Sequence, residues 1–230
     1  MGMNSALVTG ASSGIGAATA LRLSADGWRV VLTGRDRPRL DALADRTGGR
    51  AVAADLTTAD GMRRVVEAAR GVELLVHSAG IGWAGPFEAM APHQIDELLE
   101  LNLTIPIRLT HALLPPRVAF VASVAAVGVR DEDVYSATKA GLRAFAASLR
   151  YRGVTTTTAF PGAVRTPFFH GRRYDRRFPR MLEPERVADA LVDAVARGQP
   201  EVFVPRWLAV ADRLHGAVPG LFHRLARRFG

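Results

Sequence analysis

Cysteine is absent from the 230 residues. That excludes disulfides, thiolate catalysis and cysteine-ligated metal, and leaves nothing that points to an oxidising compartment. The six histidines, at 77, 93, 111, 170, 215 and 223, lack the close paired spacing of a zinc site. A secretory signal is also missing. The uncharged stretch from Asn4 to Leu21 is broken up by Gly, Ser and Thr, and no basic region precedes it. Met1-Gly2 begins like a myristoylation signal, yet Ala6 stands where such a signal has Ser or Thr. A cytoplasmic protein is the expectation. Lysine is nearly absent as well: of 30 basic residues, all are arginine except Lys139.

With 48% hydrophobic residues, the chain suits one substantial core and a single domain over 1–230. No repeat or low-complexity linker divides it. The net charge of +8 invites a nucleic-acid reading. The arginines, however, concentrate only near 172–180 and 224–228, with no zinc-finger spacing or RNA-recognition signature. Nucleic acid is therefore the less favoured partner. Polyanionic small molecules, acidic carrier proteins and anionic lipid suit the charge equally well.

Apolar β-rich runs alternate with helical patterns from end to end. The patterning predicts strands near residues 5–9, 28–33, 50–53, 73–77, 117–122, 154–159 and 201–204. Helices are predicted over 14–25, 37–46, 59–70, 92–114, 134–150 and 184–197. This alternation specifies an α/β fold, a Rossmann-like doubly wound parallel sheet of about seven strands with helices on both faces. In such a fold, ligands bind beyond the carboxyl ends of the strands.

The solitary lysine follows Tyr135 by four residues in Val134-Tyr135-Ser136-Ala137-Thr138-Lys139. On a helix that spacing stacks the two side chains on one face. An ammonium is a compact charge that burial tunes, unlike the always-charged guanidinium fork. Beside a phenol it makes the hydroxyl a stronger acid. A second candidate site is Thr9-Gly10-Ala11-Ser12-Ser13-Gly14-Ile15-Gly16, between the first strand and helix. Its glycines permit a tight turn and a close approach to pyrophosphate at a helix N-terminus.

Taken together, these motifs resemble the short-chain dehydrogenase/reductase family from about Ser5 to Val204. The glycine loop matches that family's cofactor loop, with Gly10, Ser12, Ser13, Gly14, Ile15 and Gly16. Asp55, in Ala54-Asp55-Leu56, matches the adenine-contacting acid, and Asn102 the helix asparagine of a proton relay. Ser123 matches the catalytic serine, and Tyr135 and Lys139 the Tyr-x-x-x-Lys pair. Pro161-Gly162 and Thr166 match the nicotinamide-side loop. The resemblance implies hydride transfer to a carbonyl, or from a secondary alcohol. In it Tyr135 is general acid/base, Ser123 orients the substrate oxygen, and Lys139 also binds the nicotinamide ribose. It further implies a homodimer or homotetramer joined through the fourth and fifth long helices.

Two features depart from the family. His77-Ser78-Ala79-Gly80 stands where Asn-Asn-Ala-Gly is usual. Ala79 and Gly80 keep the small residues beside the cofactor, and His77 and Ser78 become the candidates for the lost amide hydrogen bonds. The turn Leu113-Leu114-Pro115-Pro116-Arg117 is short.

Cofactor choice turns on Leu32-Thr33-Gly34-Arg35-Asp36. An acid at the end of this strand would hold ribose hydroxyls and repel a 2′-phosphate. Gly34 takes that place and Arg35 follows, which favours NADP(H) over NAD(H); Asp36 is a possible competitor for Arg35.

On the substrate side, Trp83, Phe87, Phe168 and Phe169 are candidate wall residues, with core packing the equal alternative. The arginines from 172 to 177 suit a carboxylate, phosphate or acyl carrier, or simply a solvated loop. Beyond Pro205, Trp207, Leu208, Ala211, Leu214 and Val218 follow helical spacing, and Leu221, Phe222, Leu225 and Phe229 do so again beside Arg224, Arg227 and Arg228. This extension suits packing on its own protein or a second subunit, with peripheral contact to anionic membrane and a cap over a lipophilic substrate as alternatives. Two rival functions remain: a non-catalytic dinucleotide-binding regulator and a basic nucleic-acid-binding protein.

Overall fold

A computed structural model describes residues 4–169, 181–220 and 224. Seven strands form one sheet: β1 (Ser5–Thr9), β2 (Arg29–Gly34), β3 (Arg50–Ala53), β4 (Leu74–His77), β5 (Arg117–Val121), β6 (Thr155–Pro161) and β7 (Glu201–Val204). The helices between and after them are α1 (Gly14–Ala25), α2 (Arg37–Thr47), α3 (Ala59–Ala68), α4 (Pro92–Leu99), α5 (Ile105–Leu113), α6 (Asp133–Arg150), α7 (Pro184–Ala196) and α8 (Leu208–Ala217). Spatial order is β3-β2-β1-β4-β5-β6-β7, with every pairing parallel.

This is the doubly wound sheet that the alternation predicts. The strands read as continuous apolar runs because helices cover both faces. Ala6 and Val8 of β1 pack with Leu23 and Leu191 on one side; between them, Leu7 points to the other side with Leu75, Phe120 and Leu142. The chain winds outward from β1 to β3, then returns to lay β4 against β1 before winding the other way. The crevice at this reversal lies where the ends of β1 and β4 part.

Local chemistry fixes the helix ends that matter here. Asp36 caps α2 by accepting from the Arg39 amide at 3.1 Å, and also pairs with the Arg39 Nε at 3.3 Å. The predicted helix over 92–114 is interrupted. Residues Glu100–Thr104 form a wide turn in which the Ile105 amide reaches back five residues to the Glu100 carbonyl. Pro106 has no amide to offer the Asn102 carbonyl, and its ring crowds that oxygen. Such turns collect at functional positions, and this one carries Asn102. The helix closes with Leu114 in the left-handed region at φ 42°, which makes the short turn before β5.

His77 replaces the missing asparagine with a bond of its own. Its Nε2 meets the Thr110 hydroxyl of α5 at 2.9 Å, and its ring stacks on Phe120 at 5.1 Å. Burial pushes its pKa down to about 3, so it braces β4 against α5 as a neutral ring. On the other side of the crevice, the Thr9 hydroxyl donates to the Val76 carbonyl at 3.3 Å. It accepts from the Ser78 and Ala79 amides, each at 3.1 Å.

The tail continues into α8, whose sole buried residue is Leu208; Trp207, Val210, Leu214 and Val218 are exposed. The second stripe, at Leu221, Phe222, Leu225 and Phe229, lies outside the described residues, as do Arg227 and Arg228. Among the described residues, no helix is long and apolar enough to cross a membrane.

Candidate active site

The glycine loop leaves β1 with Gly10 at φ 66°, pressed so close to β4 that a Cβ there would lie 2.8 Å from the Ala79 backbone. α1 then begins at Gly14 behind Ser13, whose hydroxyl makes no capping bond. Its first-turn amides are open to a phosphate. Gly16 serves differently: a Cβ would stand 2.3 Å from the Gly10 carbonyl, so it permits the helix to pack on the loop and lies on neither of the two cavity walls described below.

A cleft of about 260 Å³ opens above this loop, walled by Gly10, Ser12, Ser13, Gly14, Ile15, Arg35, Asp55, Leu56, Ala79 and Gly80. Gly34, Ala54, Thr57, Ser78, Ile81, Leu101 and Thr166 complete it, and of these Thr57, Ile81 and Leu101 carried no signal in the sequence. The Asp55 carboxylate accepts from the Thr57 amide at 2.9 Å and the Thr57 hydroxyl at 2.7 Å. These bonds, with the nearby Arg35 charge, hold its pKa below the usual range. Arg35 itself is exposed and makes no hydrogen bond or ion pair among the described residues.

A second cavity of about 530 Å³ holds Ser123, Tyr135, Lys139, Pro161, Gly162 and Phe168. Ile15, Ser78, Gly80 and Thr166 belong to both walls, so the two spaces adjoin along one crevice. α6 brings Tyr135 and Lys139 to this crevice one turn apart, with the Lys139 Nζ 5.5 Å from the Tyr135 ring centre. Lys139 is buried, donates to the Val121 carbonyl at 3.1 Å, and has its pKa pushed down to about 8 by desolvation. The Ser123 oxygen accepts from the Ala125 amide at 3.1 Å, which orients it at the end of β5.

Asn102 is fully buried and lines neither cavity. Its amide group clasps the Ile81 backbone, accepting at 2.9 Å and donating at 2.8 Å, and reaches the Thr138 hydroxyl at 3.4 Å. Thr138 in turn donates to the Tyr135 carbonyl at 2.7 Å. Asn102 thus ties the loop after β4 to the helix carrying Tyr135. A Cβ on Gly80 would sit 3.1 Å from the Asn102 Oδ1 and 3.7 Å from the Lys139 Nζ. Glycine spares that passage a tight contact with Asn102.

On the substrate side, Phe168 lies against Tyr135 with ring centres 5.7 Å apart. Trp83 corrects the expectation of a wall residue. It packs with Met90, Leu98, Ala125 and Tyr135, above Gly85, and lines neither cavity. Phe87 is also absent from both walls and half exposed. Phe169 ends a short turn, Pro167–Phe169, and its side chain lies outside the described residues, as do all of 170–180. Sequence reasoning missed Val129 to Glu132, Val164 and Leu208 on the second wall. Leu208 had a signal in the helical spacing of the tail; the others had none. Among the described residues, no group of three or more His, Asp or Glu is placed to hold a metal.

The profile of the family described as short chain dehydrogenase matches residues 4–177, a span holding the glycine loop, Ser123, Tyr135 and Lys139. The chain belongs to the short-chain dehydrogenase/reductase family. It is an oxidoreductase of that family with a nucleotide cofactor. An uncharacterized oxidoreductase of Myxococcus xanthus (strain DK1622) is 32% identical, over 99% of this chain and 98% of its own. A short-chain dehydrogenase from Sphingobium yanoikuyae, solved in complex with NADPH, superposes with a TM-score of 0.84 at 30% identity and 96% coverage of each chain. The bulky-bulky ketone specific alcohol dehydrogenase from Comamonas testosteroni gives a TM-score of 0.80 at 26% identity, covering 96% of this chain and 95% of its own.

Proposed function

We propose that this oxidoreductase is an NADP(H)-dependent enzyme of a single domain, reducing a carbonyl or oxidising a secondary alcohol, with Tyr135 as general acid/base. The observation that carries the reading is the pair of adjoining cavities that runs from Arg35, past the shared wall of Ile15, Ser78, Gly80 and Thr166, to Tyr135 and Lys139. Its residues fit an extended dinucleotide: Gly10 lets the loop lie against the Ala79 backbone where a Cβ could not fit, and open amides at α1 suit a pyrophosphate. When bound, the nicotinamide supplies or accepts the hydride. Ser123 holds the substrate oxygen, and Tyr135 gives it a proton in reduction or removes one in oxidation. A free phenol titrates near ~10, and the Lys139 ammonium lowers that value by favouring phenolate. Asn102 keeps α6 in register with the Gly80 passage through Ile81 and Thr138.

Preference for NADP(H) is supported by three neighbours: Gly34 where an acid would repel phosphate, Arg35 exposed at the crevice, and Asp36 occupied by Arg39. The competition that Asp36 offered on paper is therefore weak. Removing a charged donor to phosphate costs about 1.5–3 kcal/mol. Arg35→Ala is thus expected to weaken NADPH binding by about 10- to 100-fold and leave NADH nearly unchanged, as read by nicotinamide fluorescence titration. An equal loss for both cofactors would remove the phosphate role.

The substrate cavity is polar at Ser123 and Tyr135, charged along one stretch at Arg130, Asp131 and Glu132, and apolar at Val129, Val164, Phe168 and Leu208. It suits a small-molecule carbonyl compound with an apolar or acyl body. We also propose a homodimer or homotetramer through the α4–α5 and α6 faces, where Leu99 and Ile107 stand exposed. Analytical ultracentrifugation that finds only monomer at micromolar concentration would dismiss it. A cytoplasmic location remains the proposal, and α8 packing on its own protein, through Leu208 and Asp212, favours that role for the tail over membrane contact.

A further inference from the structure

Tyr135 and Lys139 are the first two members of a stripe whose third, four residues on, is Arg143. Its guanidinium does not enter the crevice. Nε and Nη2 each donate to Glu201 at 2.8 Å, while Nη1 and Nη2 donate to Asp212 at 2.6 and 2.9 Å. The same group lies 4.8 Å above the Phe160 ring. Glu201 opens β7, Phe160 precedes the Pro161-Gly162 loop, and Asp212 lies on α8. One side chain of α6 therefore grips three elements at once, in two forked pairs that a lysine has no geometry to copy.

The face that α8 offers Arg143 is also the face it offers the substrate cavity. Asp212 and Leu208 are four residues apart and so share one side of the helix. Leu208 lines the cavity, and a Cβ on Gly162 would lie 3.5 Å from its Cδ1. Leu208 is the only buried residue of α8, and its contact and the Asp212 pair help to seat the helix, which also packs on β7 and on residues 124–127. The Asp212 side chain is 14% exposed and Arg143 is 33%, so water screens the pair less than an open surface pair.

We propose that Leu208 sets the size limit on the carbonyl compound and that Arg143 is the positioning residue that holds this wall in place through Asp212. This deepens the reading that the second cavity takes the substrate, and rests on it. The helix carrying the acid/base pair thereby also fixes the distance to the opposite wall, so that chemistry and size selection share one support.

The test compares NADPH-dependent reduction of butan-2-one and benzophenone by the full chain, with NADPH affinity and thermal midpoint measured beside it. Leu208→Ala is expected to raise the benzophenone-to-butanone ratio of kcat/KM by about tenfold. Leu208→Phe, which fills the wall, should lower it. Asp212→Asn removes the charge with no change of volume and should shift the ratio in the direction of Leu208→Ala, by about threefold, through KM and not kcat. NADPH affinity stays within about twofold of wild type in each, since none of these side chains lies on the dinucleotide arm of the crevice. A ratio unmoved in Leu208→Ala and Leu208→Phe, with both ketones still reduced by the wild type, overturns the size limit alone. An unmoved ratio in Asp212→Asn, or one that moves in step with lost NADPH affinity, overturns the positioning role of Arg143. Failure of the wild type to reduce any carbonyl compound would instead bring down the functional reading, and this inference with it.

Discussion

Tyr135→Phe is expected to lower kcat for carbonyl reduction by about 10²- to 10⁴-fold, with NADPH binding largely intact. Phenylalanine keeps the ring that packs on Met90, Leu98, Ala125 and Phe168, so the wall of the cavity survives. What it loses is the hydroxyl of a ring whose centre lies 5.5 Å from the Lys139 ammonium. Single-turnover mixing of NADPH-loaded protein with ketone separates the two readouts, because binding and hydride transfer are observed at different times. Wild-type rates in this variant would take the proton role from Tyr135. Tight NADPH binding by a wild type that turns over no carbonyl compound would favour the rival reading, a dinucleotide-binding regulator. Tight, salt-sensitive binding to nucleic acid without reductase turnover would favour the other rival.

Lys139→Met is expected to produce two effects of opposite sign. Catalysis falls by about 10²-fold or more, since the phenol loses the cation that favours its ionised form. Stability of the cofactor-free protein rises at neutral pH. Burial lowers the Lys139 pKa from 10.5 to about 8, so the folded state releases a proton that the unfolded chain still holds between those values. Where the unfolded state binds more protons, stability increases with pH. The wild type should therefore gain stability as pH rises from about 8 to 10.5, and below that window it bears the full cost of a buried ammonium. From the size of the shift, that cost is roughly 3 kcal/mol. Methionine fills the space without charge, so the difference between the two unfolding curves should be largest near neutrality and vanish only above pH 10.5. Denaturant unfolding across that range measures it, and a difference that stays flat with pH would mean that the ammonium is not desolvated in the folded protein. A side chain that costs stability where it stands and is the only lysine in the chain is better explained by its chemistry than by its packing.

The sheet was legible because burial on both faces forces continuous apolar strands, and because helix periodicity differs from strand periodicity. Ser5–Thr9, Gly14–Ala25, Arg50–Ala53 and Glu201–Val204 fall where the patterning puts them, and ends of the other elements move by one or two residues. The break at Glu100–Thr104 was not legible. Pro106 announces a disturbance, but whether a helix kinks, ends or widens is decided by what Asn102 finds to bond, and Ile81 is far away in sequence. Among the candidate site residues, those tied to a backbone conformation, such as Gly10 and Gly14, sit on the cleft as the loop motif implies. Trp83 does not reach the cavity, because an aromatic beside a pocket and one beneath it leave the same trace in a sequence. The status of Asp36 needed three dimensions too: its choice of Arg39 over Arg35 is a capping geometry. Arg143 shows the converse. Its spacing from Lys139 was visible throughout, yet only the partners at Glu201 and Asp212 give it a meaning.

The most direct test is a crystal structure of the protein grown with NADP⁺. The account predicts one dinucleotide running along the crevice, its 2′-phosphate at Arg35, its pyrophosphate at the start of α1, and its nicotinamide ribose within hydrogen-bond reach of Tyr135 and Lys139. A cofactor that passes elsewhere, or that occupies the crevice with Tyr135 and Lys139 turned away from its nicotinamide end, would contradict it.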